Sequence, residues 1–265
     1  MLRNVFLKTL RDMRGQVLGW GLTIAIPTMA MILGFPLIQS TLDVEELFKF
    51  LPEPIRKLAG DPSALTGLAG FLKLKLLDSY LPILLCIFAI LQGAGAVAGE
   101  QERGTIDLLM AQPVKRWRVL LEKFAALAAA IGIICAMIST GMVAACLITD
   151  AEADLGWLIL AVFNSMPLVL VFGAIALLGS CVFRRARHAA MLAAVLFIWS
   201  FFLTLLIPLA EALRPWGKLS LFHYYTESLP LNQGLQAGPV AVLLVLLLVL
   251  VAAALFAFER KELTV

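Results

Sequence analysis

Apolar residues run along this chain in long unbroken blocks. Six stretches contain no Asp, Glu, Lys or Arg: residues 15–42, 79–99, 124–149, 155–183, 188–210 and 228–258. Each is long enough to cross a bilayer core of about 30 Å as a helix of roughly 20 residues. The run 240–258 holds only Val, Ala, Leu and Phe. Each such residue favours insertion by about 0.3–0.6 kcal/mol, against a cost of about 2.5–3.5 kcal/mol for a central Lys, Arg or Asp. Barrel strands would alternate apolar and polar positions over about ten residues, and these blocks do not alternate. The pattern predicts an all-α polytopic membrane protein with six transmembrane helices, forming a single transmembrane domain over residues 1–265.

Between the blocks, the polar segments predict smaller features. In residues 1–14, Leu2, Val5, Phe6, Leu10 and Met13 share one side of a helix, and Arg3, Lys8, Arg11 and Arg14 lie mostly on the other. That is an N-terminal amphipathic interfacial helix with its bases toward headgroups. Residues 43–78 form an external loop broken by Pro52 and Pro54 and turning at Gly60-Asp61-Pro62. Gly15 with Gly19, and Gly95 with Gly99, are small-residue pairs of the kind that lets helix backbones approach.

Charge sets the orientation. Arg3, Lys8, Arg11 and Arg14, then Arg103, Lys115, Arg116, Arg118 and Lys123, then Arg184, Arg185 and Arg187, then Arg260 and Lys261 fall in alternate connecting segments. They make fourteen of the 21 Lys and Arg. The positive-inside bias therefore predicts a cytoplasmic (inner) membrane protein with both termini in the cytoplasm. The net charge of +3 belongs to bases facing anionic membrane lipid, and no nucleic-acid partner is implied. Cys86, Cys135, Cys146 and Cys181 lie in apolar runs without metal-type spacing and read as small buried hydrophobes. No metal site is expected.

The segment 100–117 is the richest in chemistry. It follows a run of nearly all small residues, Gly93 to Gly99, and reads Glu-Gln-Glu-Arg-Gly-Thr-Ile-Asp-Leu-Leu-Met-Ala-Gln-Pro-Val-Lys-Arg-Trp. Gly104 loosens the helix leaving the membrane, Thr105 can cap a new short helix, and Pro113 limits it. Ile106, Leu109 and Met110 give that helix one apolar face. The residues describe a short helix parallel to the membrane on the cytoplasmic side.

Gly-Glu-x-Glu-Arg-Gly-Thr-x-Asp-Leu-Leu-x-x-x-Pro strongly resembles the first cytoplasmic loop of permeases in the type-2 ATP-binding-cassette exporter family. The likeness extends loosely over the basic N-terminus, the six spans, the aromatic stretch from Ser220 to Tyr225 and the basic C-terminal end. Members often have Pro after the Ser of that stretch, where this chain has Leu221. The resemblance implies that the short helix is a coupling helix docking on a separate ATPase subunit. Glu100, Glu102, Arg103, Gly104, Thr105, Asp107, Leu108, Leu109 and Pro113 match the pattern. Arg184, Arg185 and Arg187 are candidates for a second cytoplasmic contact, or for lipid headgroups. The implied partners are the ATPase and a second permease subunit, identical or related.

Absences narrow the classes further. The sequence has no Gly-x-x-x-x-Gly-Lys-Ser/Thr loop, so any ATP-Mg is expected on the partner and no cofactor in this chain. It has no Gly-x-Ser-x-Gly or His-Glu-x-x-His pattern either, so no catalytic residues are assigned. The charge-free stretches lack the midplane acids that ion-coupled carriers use. They suit an apolar or amphiphilic cargo. An ATP-independent channel or secondary carrier is the competing reading, and a membrane anchor for other proteins a third.

Overall fold

A computed structural model describes residues 5–37, 67–104, 115–151, 153–209, 211–228 and 235–261, with only the backbone described at 211–214. The expected features at 38–66, including most of the external loop with its prolines and turn, lie outside the described residues. The described residues contain helices and no strand. Six helices are long and apolar enough to cross a membrane: span 1 Val5–Leu37, span 2 Leu68–Gly95, span 3 Arg116–Ile148, span 4 Leu155–Val182, span 5 Ala186–Leu206 and span 6 Ala237–Arg260. The chain is an all-α multi-pass membrane protein.

Span 4 sits at the centre, with 72% of its apolar window buried, against 22% for span 5 and 17% for span 6. Span 1 packs along span 3, span 2 along span 4, and spans 5 and 6 lean on span 4. The outer faces of spans 5 and 6 leave Val195, Ile198, Phe202, Val245 and Leu248 exposed. Lipid tails solvate such faces as well as protein does, so they carry no penalty.

Two boundaries differ from the sequence pattern. The amphipathic stretch expected over 1–14 is helical from Val5 and runs without a break into span 1. Its apolar stripe is used within the protein: Met13 and Val17 are buried and Leu10 packs on the core, while Lys8, Arg11 and Arg14 stay exposed. The second helix begins at Leu68, well ahead of the charge-free stretch, and so carries Lys73, Lys75 and Asp78 within it. Together with Glu122 and Lys123 near the start of span 3, these put charge inside helices whose apolar cores alone looked charge-free.

The start of span 2 is π-helical over Lys73–Tyr80. There the Leu81 amide donates five residues back, to Leu76. Pro82 has no N–H to continue the pattern and leaves the Leu77 carbonyl without a helical partner. The Tyr225 hydroxyl donates to that carbonyl at 2.7 Å. Tyr225 belongs to the short helix Leu221–Ser228, which buries Phe222, Tyr225 and Ser228. Ser220 precedes this helix, and Ser200 of span 5 accepts from the Leu221 amide at 2.9 Å. A proline at position 221 would have no such amide to donate.

At the turn between spans 3 and 4, Asp150 takes a left-handed φ of 46°, a conformation Asp tolerates better than most residues. The Ala151 amide then reaches back to the Cys146 carbonyl, closing span 3. Asp154 caps span 4 by accepting from the Trp157 amide at 3.1 Å.

The close helix crossing is at Gly93. A Cβ there would run into the Gly173 carbonyl oxygen of span 4. Gly15, Gly19 and Gly95 meet nothing within 4 Å, so the expected small-residue pairs are not what brings these helices together. Gly93→Leu is expected to destabilise the bundle by about 3 kcal/mol, because a backbone clash cannot relax as a side chain can. Thermal unfolding in detergent reads this, and an unchanged midpoint would show that the crossing is looser than described.

Candidate functional site

The six helix ends that gather at one end of the bundle are the start of span 1, the end of span 2, the start of span 3, the end of span 4, the start of span 5 and the end of span 6. Below span 2 the backbone breaks at Ala96 and Val97. The small residues of this stretch allow the chain to turn into a second short helix, Ala98–Glu102. Three consecutive polar side chains leave that helix, and each goes to a different span.

Glu100 pairs with the Lys123 ammonium of span 3 at 2.6 Å. Lys123 is buried and also donates to the Ala96 carbonyl, which the break in the helix has freed. Gln101 accepts from the Lys261 ammonium, just past span 6, at 2.9 Å. Lys261 spends its other donors on the Ser180 and Phe183 carbonyls at 3.2 and 3.1 Å. Those carbonyls end span 4, where a cation meets the negative end of the helix dipole. Burial pushes the Lys261 ammonium below its usual range, partly opposed by Cys181 and reinforced by Arg184. Glu102 accepts from the Ala186 amide at 3.2 Å, an open donor in the first turn of span 5.

Span 1 joins through span 3. Glu122 accepts from the Phe6 amide at 3.1 Å and from the Arg118 side chain at 2.8 Å, so one carboxylate caps span 1 and pairs within span 3. Arg116 donates to the Lys261 carbonyl at 3.1 Å. Beneath these polar contacts lies a small apolar cluster of Val97, Leu120, Leu177, Cys181, Ala254 and Phe258.

Of the residues singled out by sequence, Glu100 and Glu102 stand in this junction. Arg103 ends the short helix, donating its amide to the Gly99 carbonyl at 3.3 Å. Gly104 follows with φ +67°. Thr105, Asp107, Leu108, Leu109 and Pro113 lie outside the described residues. Arg184, Arg185 and Arg187 are exposed in the turn whose Ala186 amide Glu102 accepts. Gln101, Glu122, Lys123 and Lys261 were not singled out. The adjacent Glu122 and Lys123, with a long apolar run after them, are the one visible signal of such a junction.

Gly104 is the position where backbone freedom matters. A β-branched side chain at φ +67° costs about 1–2 kcal/mol, whereas Asn visits this region readily. Gly104→Val is therefore expected to lower the unfolding midpoint and Gly104→Asn to leave it nearly unchanged. Equal effects would show that the turn can be remade.

Mechanically, the short helix is fixed to spans 3, 4, 5 and 6 through two carboxylates, an amide and a lysine.

A family model described as ABC-2 family transporter protein matches residues 3–263. No curated protein matches the chain.

Proposed function

The chain belongs to the ABC-2 family of transporter proteins, and from that premise we propose that it is the membrane-spanning permease of an ATP-driven exporter. A separate ATPase subunit supplies the energy and holds ATP-Mg, and a second permease subunit, identical or related, completes the pathway. The protein sits in the cytoplasmic membrane with both termini and the Ala98–Glu102 junction on the cytoplasmic side. The segment 100–117 couples the chain to the ATPase, with Leu108 and Leu109 among the residues that dock on it.

The observation that carries this reading is the junction. The short helix leading into residues 105–113 bonds through Glu100, Gln101 and Glu102 to spans 3 and 5 and to Lys261. Nucleotide-driven closure of the ATPases would move that helix, and the bundle would rock as a body. Arg184, Arg185 and Arg187, exposed beside Glu102, would make a second contact with the ATPase or meet lipid headgroups.

Reconstituted vesicles test this. Flux of an amphiphilic cargo is expected only when the ATPase subunit and hydrolysable ATP are both supplied. Flux driven by an ion gradient without any ATPase would overturn the proposal in favour of a secondary carrier.

A further inference from the structure

A cavity of about 340 Å³ opens between spans 1, 2 and 3 at the junction end of the bundle. That size is at the lower end of small-ligand sites. Trp20 and Phe124 form apolar walls, and Asp12, Gln16, Gln92 and Arg103 are polar groups on its lining. Leu91, also on the lining, is 53% exposed, so the mouth includes apolar surface of span 2.

The charges divide into those already used and those open. Lys123 and Glu100, which also line the cavity, are paired with each other. Asp12 and Arg103 are both exposed and have opposite signs. Arg103 lies back over its own short helix, its guanidinium 3.5 Å from where a Gly99 Cβ would stand. Gln16 and Gln92 are bonded to each other at 2.6 Å, which leaves an amide oxygen and amide hydrogens for a neutral polar ligand atom. A purely anionic ligand would meet Arg103 but be opposed by Asp12 and Glu100, and a purely cationic one would meet the reverse.

We propose that this cavity binds the headgroup of a zwitterionic phospholipid of the phosphoethanolamine type, its phosphate on Arg103 and its ammonium on Asp12. The guanidinium fork suits a phosphate, the carboxylate suits a primary ammonium, and the Trp20 and Phe124 walls take the glycerol and upper acyl chain. The same headgroup could arrive as soluble phosphoethanolamine, but the apolar walls and the exposed Leu91 assign it to a lipid. This binding is independent of whether an ATPase docks on the chain.

Native mass spectrometry of the full chain in detergent tests the site with phosphatidylethanolamine, phosphatidylglycerol and free phosphoethanolamine. Phosphatidylethanolamine is expected to be retained about tenfold better than phosphatidylglycerol, the effect of one charge-assisted contact. Asp12→Asn should remove that preference and Asp12→Lys should invert it, whereas Arg103→Gln should weaken retention of both lipids, because both carry the phosphate. Both positions are exposed, so unfolding midpoints near wild type are expected and show that the variants are folded. Equal retention of the two lipids by the wild type, a preference untouched by Asp12→Asn, or retention of both lipids untouched by Arg103→Gln would overturn the proposal. Free phosphoethanolamine binding as tightly as the lipid would overturn the lipid assignment.

Discussion

Leu109→Asp is expected to reduce ATP-dependent transport by about a hundredfold while leaving membrane insertion and the unfolding midpoint unchanged. A buried apolar anchor at a protein interface is typically worth 2–4 kcal/mol, and each 1.4 kcal/mol is a factor of ten. A carboxylate at such an anchor adds the cost of burying an unpaired charge. Leu108→Asp should behave in the same way, and loss of ATPase binding should accompany loss of transport in both. Transport rates in vesicles, read beside capture of the ATPase, check this. Transport that persists in both variants would end the coupling role of residues 105–113.

Lys123→Ala is the second large effect expected, and it acts on the bundle itself. Lys123 is buried and its ammonium meets Glu100 at 2.6 Å. Removing one partner of a fully buried pair costs about 3–5 kcal/mol; the Glu100 side chain left behind is 24% exposed, so a loss of about 2 kcal/mol is expected. Lys123→Met combined with Glu100→Gln removes both charges and keeps the volume, so it should recover most of that loss. The double variant is nevertheless expected to transport poorly, since the short helix has lost its tie to span 3. Unfolding midpoints of Lys123→Met, Glu100→Gln and the double variant, taken as a double-mutant cycle, measure the pair directly. Simple additivity would mean that Glu100 and Lys123 do not act together.

Much of this architecture is legible in the sequence because the bilayer imposes one strong rule. A charge-free run of about 20 residues has few alternatives to a spanning helix, and all six appear as helices. Their ends were harder to read. Lys73, Lys75 and Asp78 look like loop residues in sequence, yet they lie in the helix that begins at Leu68. There the π-helical turn and the Tyr225 hydroxyl, from far along the chain, take up the backbone groups that Pro82 disturbs.

The glycines carry a similar lesson. Spacing drew attention to Gly15, Gly19 and Gly95, but the contact is made at Gly93, because which face of span 2 meets span 4 is decided by tertiary packing. At the junction, Glu100 and Glu102 were visible through a local motif. Lys261 was not, because its acceptors at Gln101, Ser180 and Phe183 are brought to it only by the fold. Local pattern locates the spans and the motif; long-range pairing decides which charges are joined.

A membrane chain that works with a separate ATPase through residues 100–117 should carry that ATPase with it when purified. The most direct measurement is to purify the tagged chain gently from its native membrane and identify by mass spectrometry what accompanies it. A stoichiometric soluble protein carrying a phosphate-binding Gly-x-x-x-x-Gly-Lys-Ser/Thr loop is expected, lost from the Leu109→Asp variant. Recovery of the chain without such a partner, together with gradient-driven flux in vesicles, would contradict it.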